Sequence, residues 1–599
     1  MSGGRMVRRK SMVPGKPVAG EKNKTGHIHI IILLLLGGFL SAGALFAQDP
    51  TTSESIHARQ NLERHNIERR IEQATAPLPG FKVTSPQLPP PDIEGKSQEK
   101  IFKLNKAIFE PIPRGVPLAE LEAVVARYAA MDKVSMYDLY CMVVEIDALF
   151  DERHVLGRAG LPVQDVENGI VTVEIIEGRE SNRNITTHAP SYFGIGNASV
   201  PSRRLFGQHF VRHQFRFSDS SAFDIQELEN EILRYNRTFS GQIFAGIEPG
   251  DEQGDFALNL TRNLPRLISG GYSVDNTGRK SSGSIRNSFH LNVSDALGAN
   301  ESFFISYDKT EGTSALHMQG KIPVSRFGTF FDMSYYYGEP KTISGSFAAL
   351  LINGKSEQYR PGLRQILVNK KKHRLDATFN YQNYDSRTYF DTSLNYAEKH
   401  NAWTIGLEYE GQSSLFAGFS LTTGNAETLA IPDPDYKDTD FNLLKMNFMK
   451  VWVPGSSTTL VFRGNASVAL SDLPQSQSFQ IGGMATVRGA PEALVSGDTG
   501  YLYVAEYRRF VWSGSGRKSR LSASKAELLI FFDHGYVFDR DTSRHDFLHS
   551  IGFGGTIHIS RHFSATGVYG KPIFTGEASD IYQDQLRKGS ASFTFRVSI

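Results

Sequence analysis

Four histidines fall in pairs four residues apart, His545/His549 and His558/His562. On a helix that spacing would place two metal ligands on one face. The second pair lies in or beside IGFGGTIHIS, which alternates as a strand, so helical spacing loses its meaning there. In that alternation His558 shares a face with Thr556 and Ser560, opposite Ile557 and Ile559, and is expected to line a lumen. Two aspartate pairs, Asp219/Asp224 and Asp433/Asp435, fall in expected loops with no base or nucleophile beside them. The single cysteine, Cys141, rules out an internal disulfide and a cysteine-clustered zinc site. No phosphate-binding loop, HExxH or GxSxG motif occurs. These residues give no catalytic constellation, metal centre or cofactor site, and the expected role is not enzymatic.

Two other runs set a charge beside glycine. Val487-Arg488-Gly489 lies within Phe479–Tyr501, FQIGGMATVRGAPEALVSGDTGY. Phe532-Asp533-His534-Gly535 lies within Leu528–Val537, LLIFFDHGYV. Arginine offers a planar, permanently charged fork that can grip a carboxylate through two parallel hydrogen bonds. Glycine lets a backbone turn tightly or approach closely.

The elements around these runs follow from composition and periodicity. The chain has 599 residues, 40% hydrophobic, with 40 Phe, 23 Tyr, 3 Trp and 55 Gly, which suits a β-rich protein and excludes a bundle of membrane helices. Residues 1–47 carry seven Lys/Arg against one acid, Glu21, so a net charge of +2 leaves the remaining chain acidic by four. An acidic body argues against nucleic-acid binding. Ile30–Ala47 is uncharged, follows the basic stretch and ends in small residues, as a secretory signal peptide does; an uncleaved anchor is the alternative.

Residues 48–76 contain a helix, Ser53–Ala76, that is polar nearly all round except for Ile56, Ile67, Ile71 and Ala74. Such a helix suits a wet channel or open solvent. Residues 77–100 form a linker with six prolines between 77 and 91. Residues 101–180 read β-α-α-β-β, with Pro117 at a helix N1 position and IVTVEIIEG as the last strand. Residues 181–265 repeat the order weakly, and their first strand is poorly defined.

From 266 to 599 alternation takes over. Trp403, Ile405, Leu407 and Tyr409 oppose Thr404, Gly406, Glu408 and Glu410, and Phe593, Phe595 and Val597 oppose Thr594, Arg596 and Ser598. Buried Arg and Glu would be costly in a soluble sandwich, whereas a barrel with lipid outside and water inside accepts them. Sixteen strands of about ten residues would use roughly half of this region. The fold class is therefore mainly β: a C-terminal transmembrane barrel of sixteen strands, with twelve or fourteen and longer loops as the alternatives, two α/β domains and an N-terminal helix.

The two glycine-flanked runs, in this order, resemble the signature loop and following strand of the two-partner-secretion outer-membrane transporters. This is the TpsB family of haemolysin and filamentous-haemagglutinin exporters, which shares a superfamily with BamA-type barrel insertases. Arg158–Arg179, RAGLPVQDVENGIVTVEIIEGR, resembles the end of a first POTRA domain.

The resemblance implies a Gram-negative outer-membrane transporter with POTRA domains in the periplasm. It would pass a large unfolded exoprotein to the cell surface, without nucleotide or other cofactor. It also implies outer-membrane lipid and the barrel-assembly machinery as partners, and Arg488 paired with Asp533; Glu506 is a candidate second carboxylate for the guanidinium, with ambiguous strand phase. Cargo would add a strand to a POTRA sheet edge, for which Ile170, Val171, Val173 and Ile175 are candidates; the same residues could instead pair inside the sheet. The rival readings are a barrel insertase of the superfamily, a porin, which leaves the two α/β units unexplained, and an importer, whose plug would need a folded domain where Ser53–Ala76 is one helix.

Overall fold

The computed structural model describes residues 67–68, 71, 97–166, 168–188, 201–215, 222–345, 348–370, 372–411, 414–430, 433–513, 525–560, 562–576 and 589–598. Side chains of 201–206, 433–436 and 574–576 are outside it. The expected signal peptide, the linker over 77–96 and most of the expected N-terminal helix also fall outside.

The first α/β unit contains β1 (Lys106–Glu110), α1 (Leu118–Ala129), α2 (Met136–Glu152), β2 (Gly157–Gly160) and β3 (Ile170–Glu177). Pro117 is the N-cap of α1, one position before the expected N1. Ser135 caps α2 in a reciprocal box with Asp138. The sheet order is β1-β3-β2, which corrects the expected edge. β3 is the central strand, parallel to β1 and antiparallel to β2. Val171, Val173 and Ile175 are its core face, buried beneath the two helices, while Ile170 at its start is exposed. Beyond the four-residue β2, the Gln164 amide accepts from Thr172 N–H at 2.6 Å and donates to Thr172 O at 2.7 Å. That side chain covers β3 where β2 ends.

Gly178 alone separates β3 from β4 (Arg179–His188), the first strand of the second unit and the one left undefined by the sequence. α3 (Pro201–Gln214), α4 (Ile225–Thr238), β5 (Gln242–Pro249) and β6 (Asp255–Asn263) follow, with sheet order β4-β6-β5. Asp224 caps α4 by accepting from Gln226 and Glu227 N–H. Backbone hydrogen bonds Leu156 N–H to Phe223 O and Ile225 N–H to His154 O couple the two units.

Sixteen antiparallel strands close the barrel. They are β7 (Ile268–Asp275), β8 (Arg286–Ser294), β9 (Ser302–Lys309), β10 (Thr313–Pro323), β11 (Thr329–Pro340), β12 (Ile352–Lys370), β13 (His373–Phe390) and β14 (Ser393–Gly411), then β15 (Leu415–Ala430), β16 (Asp433–Gly455), β17 (Thr458–Ala469), β20 (Thr499–Ser513), β21 (Lys525–Asp539), β22 (Arg544–His558), β23 (Phe563–Gly576) and β24 (Ser590–Ser598). β18 (Phe479–Ile481) and β19 (Val495–Gly497) form a small hairpin between β17 and β20. The seam is short: β24 meets β7 over Thr594–Ser598 and Gly271–Asp275.

The walls alternate as read. Trp403, Ile405, Leu407, Phe593 and Phe595 are exposed on the outer face. Inside, Glu408 receives hydrogen bonds from Arg364 at 2.7 and 3.1 Å, and Thr404 bonds Thr422. Asp433 opens β16, so the expected loop there is a strand. His545 and His549 lie on strand β22, where they bond Tyr536 and His534.

The second α/β unit is anchored to one rim of the barrel. Arg262 is fully buried; its Nη2 donates to Asp295 at 2.9 Å, in the turn between β8 and β9, and its Nε donates to Tyr235 Oη. Arg234 donates to Arg326 O in the turn after β10, and Arg374 donates to Arg237 O beside the turn after β12. Phe330 and Ile366 of the wall join the core of this unit.

Candidate functional site

Strand β17 ends at Ala469, and the chain does not return to the wall until Thr499. The intervening loop folds inward. Pairing of β18 with β19 draws its stem together, and its tip is closed by its own hydrogen bonds. Gly482 N–H donates to Thr486 Oγ1, Gly483 N–H to Val487 O, and Met484 N–H to Glu492 Oε1. Gly482 and Gly483 hold φ values of 114° and 95°, which the turn requires and side chains resist.

An apolar layer seats the tip on the wall. Ile481, Val487 and Val495 pack with Leu502 and Val504 of β20, Val537 of β21 and Leu548 of β22. Gly535 makes room for them: a Cβ there would lie 3.0 Å from Ile481 and 3.2 Å from Val487. Gly489 holds φ 88° against β23, where a Cβ would meet Gly570 O at 2.3 Å.

Between these two glycine contacts stands Arg488, 5% exposed. Its Nε and Nη2 donate to the two oxygens of Asp533 at 2.9 and 2.6 Å, and its Nη1 donates to Glu506 Oε1 at 2.7 Å. The backbone N–H of Arg488 adds a fourth hydrogen bond, to Asp533 Oδ2 at 2.9 Å. The guanidinium lies 3.7 Å from the centre of the Phe531 ring, a cation–π contact. Asp533 is 0% exposed. Arg508 holds the other Glu506 oxygen at 2.7 Å, and Arg463 donates to Ala485 O of the tip. Charge is thus balanced by hydrogen-bonded partners, which a buried ion pair requires.

The structure brings Val487, Arg488, Gly489, Glu506, Asp533 and Gly535 into one site. Phe532 points the other way, 42% exposed on the outer wall. Ile170, Val171, Val173 and Ile175 belong to the core strand described above and have no part in it.

Sequence reasoning missed a second contact between loop and wall. Ser476, in the descending arm of the loop, donates from Oγ to Glu398 Oε1 and from its backbone N–H to Glu398 Oε2 at 3.2 Å. His400 Nδ1 sits 3.1 Å from Glu398, and its Nε2 faces the Gln382 and Gln477 amides. A serine, a histidine and a carboxylate meet here, but serine and carboxylate share the same ring nitrogen. A nucleophilic triad needs opposite nitrogens, so this group fastens the loop. The alternation of β14 puts Glu398 and His400 on one face, but no local pattern names a partner 76 residues away.

Three described residues of the N-terminal region also lie against the inner wall. Ile71 is buried with Met449, Val451 and Val461, and Glu68 pairs with Arg596 at 3.2 Å.

Comparison with known proteins follows this architecture. Residues 254–557 match the model of the haemolysin secretion/activation protein family ShlB/FhaC/HecB. The heme/hemopexin transporter protein HuxB of Haemophilus influenzae strain 86-028NP is 22% identical over 519 residues, 84% of this chain and 86% of HuxB. The outer membrane transporter CdiB of Escherichia coli is 20% identical over 498 residues, 79% of each. Among solved structures, CdiB from Escherichia coli aligns with a TM-score of 0.62 at 16% identity, over 93% of this chain and all of that one. CdiB from Acinetobacter baumannii gives 0.56 at 13%, with the same coverages. These two likenesses concern the fold.

Proposed function

Because the chain belongs to the haemolysin secretion/activation protein family, and is an outer-membrane transporter that secretes a large unfolded exoprotein by two-partner secretion, we propose that its functional centre is the loop–wall site built on Arg488. The observation that carries this reading is one guanidinium shared by two buried wall carboxylates, with the loop backbone on one of them. A loop needing only a resting place could lie on apolar contacts. A fully hydrogen-bonded pair selects one conformation, because any displacement leaves the Arg488 guanidinium and the Asp533 carboxylate buried without partners, while Glu506 keeps only Arg508.

In this reading the POTRA domains, residues 101–180 and 181–265, receive the exoprotein in the periplasm, and the barrel, 266–599, conducts it. Residues 48–76 occupy the lumen at rest, in keeping with Ile71 and Glu68 on the inner wall. The signal peptide is 1–47, the linker is 77–100, and the barrel-assembly machinery inserts the protein. The name of HuxB suggests a cargo that engages heme or hemopexin as the chemistry to try first.

The test is co-expression with the exoprotein and measurement of its appearance at the cell surface. Wild type is expected to export it, and Arg488→Ala to lose export while the barrel keeps its heat-modifiable migration. Normal export by Arg488→Ala would overturn the reading.

A further inference from the structure

The barrel strands are very unequal in length. β7, β8 and β9 have eight or nine residues, while β12 to β16 have 16 to 23. About 9–11 residues cross the hydrocarbon. The turns after β10 and β12 lie against the second α/β unit, on the periplasmic side. The excess length of these five strands therefore stands out on the cell-surface side.

β16 is the last of the five. On one side β15 accompanies it from Lys450 up to Lys437, and pairs with it again at Asp433 beyond an irregularity. On the other, β17 stops at the pair Leu443–Ala469, and the loop departs. Leu470 N–H donates to Asn442 O at 2.9 Å, Asn442 N–H donates to Ser471 Oγ at 2.8 Å, and Ser471 Oγ donates to Asp440 O at 3.3 Å. Above this point no described residue pairs with that side of β16. Peptide groups of alternate residues in a strand face opposite edges. Asn442 sets the phase, so Asp440 and Asp438 turn theirs to the open side, which continues to Asp433.

We propose that this open edge of β16, beside the point where the loop leaves the wall, receives the emerging exoprotein as an added β-strand. The proposal rests on the transport reading and goes beyond it. An unfolded chain leaving the lumen carries unpaired N–H and C=O groups, and an open edge meets them without regard to side-chain sequence. The charge pattern selects the occupant. Residues 433–440 carry four acids, Asp433, Asp435, Asp438 and Asp440, against one cation, Lys437. The same edge of a second copy would bring like charges together, a known guard against edge-to-edge association. A neutral or basic segment of cargo meets no such repulsion.

The test places cysteine at 438 (Asp438→Cys) in the full-length transporter. The co-expressed exoprotein carries single cysteines along its leading segment and is arrested during export by a folded domain fused to its end. The expected result is a disulfide from residue 438 to the exoprotein, formed faster than from an Asn425→Cys control on the neighbouring strand. Asp438→Pro removes one N–H from the open side and leaves the β15 side intact, so it should slow acquisition of protease resistance by surface exoprotein roughly two- to tenfold. The amount crossing the membrane should stay unchanged. Equal cross-linking at 425 and 438, linkage of 438 to a second copy instead, or unchanged folding with Asp438→Pro would each overturn the proposal. Absence of surface exoprotein even with wild type would instead overturn the transport reading.

Discussion

Arg488 and Asp533 were legible in the sequence because their runs resemble the loop and strand motifs of a known family; the residue types alone say only that such a pair can form. Glu506 was legible as a residue type only; its strand phase was ambiguous, and register with β17 and β21 turns it inward. Glu398, His400 and Ser476 were not legible as a group, since loop-to-wall contacts across many residues leave no periodic trace. The glycines now give a sharp test. Gly535→Val would thrust methyl groups onto Ile481 and Val487, overpacking that costs about 1–3 kcal/mol. Gly570→Ala, on the wall, would bring Cβ to 2.6 Å from Arg488 O. Both should displace the tip and cut export, read as new protease cleavage between 482 and 494 in an intact barrel. A second residue-scale test lies in the first α/β unit. Burial pushes the Asp147 carboxyl above its ordinary range, although Ala159 N–H and Arg158 oppose this. A raised carboxylate pKa favours the fold below the unfolded value, near pH 4, and the benefit is lost as pH rises through the folded value. Asp147→Asn keeps an acceptor for Ala159 N–H. It should therefore increase hydrogen-exchange protection of α2 at neutral pH in the full-length protein, with the gain shrinking toward pH 4.

Among the elements, periodicity carried most of what was read correctly. Helices α1, α2 and α4 and the alternating wall strands each announce themselves through one buried face. What alternation does not encode is lateral order. The run IVTVEIIEG shows which residues face the core, but a strand with one neighbour and a strand with two have the same pattern. The parallel crossover through α1 and α2 brings β1 to one side of β3, and β2 takes the other. Asp433 was misread because Pro434 and neighbouring acids mimic a loop, whereas the strand bulges past them and pairs with β15 again at Asp433↔Ala430. Two adjacent β14 residues test the assigned faces. Leu407→Arg should impair assembly, since a cation at mid-bilayer costs about 2–4 kcal/mol. Glu408→Gln retains hydrogen bonding to Arg364 and should assemble normally. Equal recovery of folded barrel from both variants would contradict the wall orientation.

At the scale of the whole molecule, the second α/β unit and the barrel act as one anchored body. Arg262 and Asp295 meet where neither is exposed, so that joint is not a site of easy swivelling. Movement is left to what occupies the lumen. Glu68 and Arg596 form a half-exposed pair, worth little by itself, and Ile71 buries a single side chain on the wall. Deleting residues 53–76 should therefore raise the conductance of the purified protein in planar bilayers without loss of the barrel. Unchanged conductance would remove the helix from the resting lumen.

The central claim is that Arg488 and Asp533 act as one unit on export. Its most direct test is a double-mutant cycle in which export rate is measured for Arg488→Ala, Asp533→Ala and the pair, with heat-modifiable migration confirming each barrel. Asp533 also accepts the backbone N–H of residue 488, so its loss should be at least as severe as that of Arg488. The double variant should match Asp533→Ala, because the second change removes a partner already lost. Arg488→Lys keeps the charge without the fork and should restore export only in part. If the two single losses instead multiply in the double variant, the residues act independently and the account of this site is wrong.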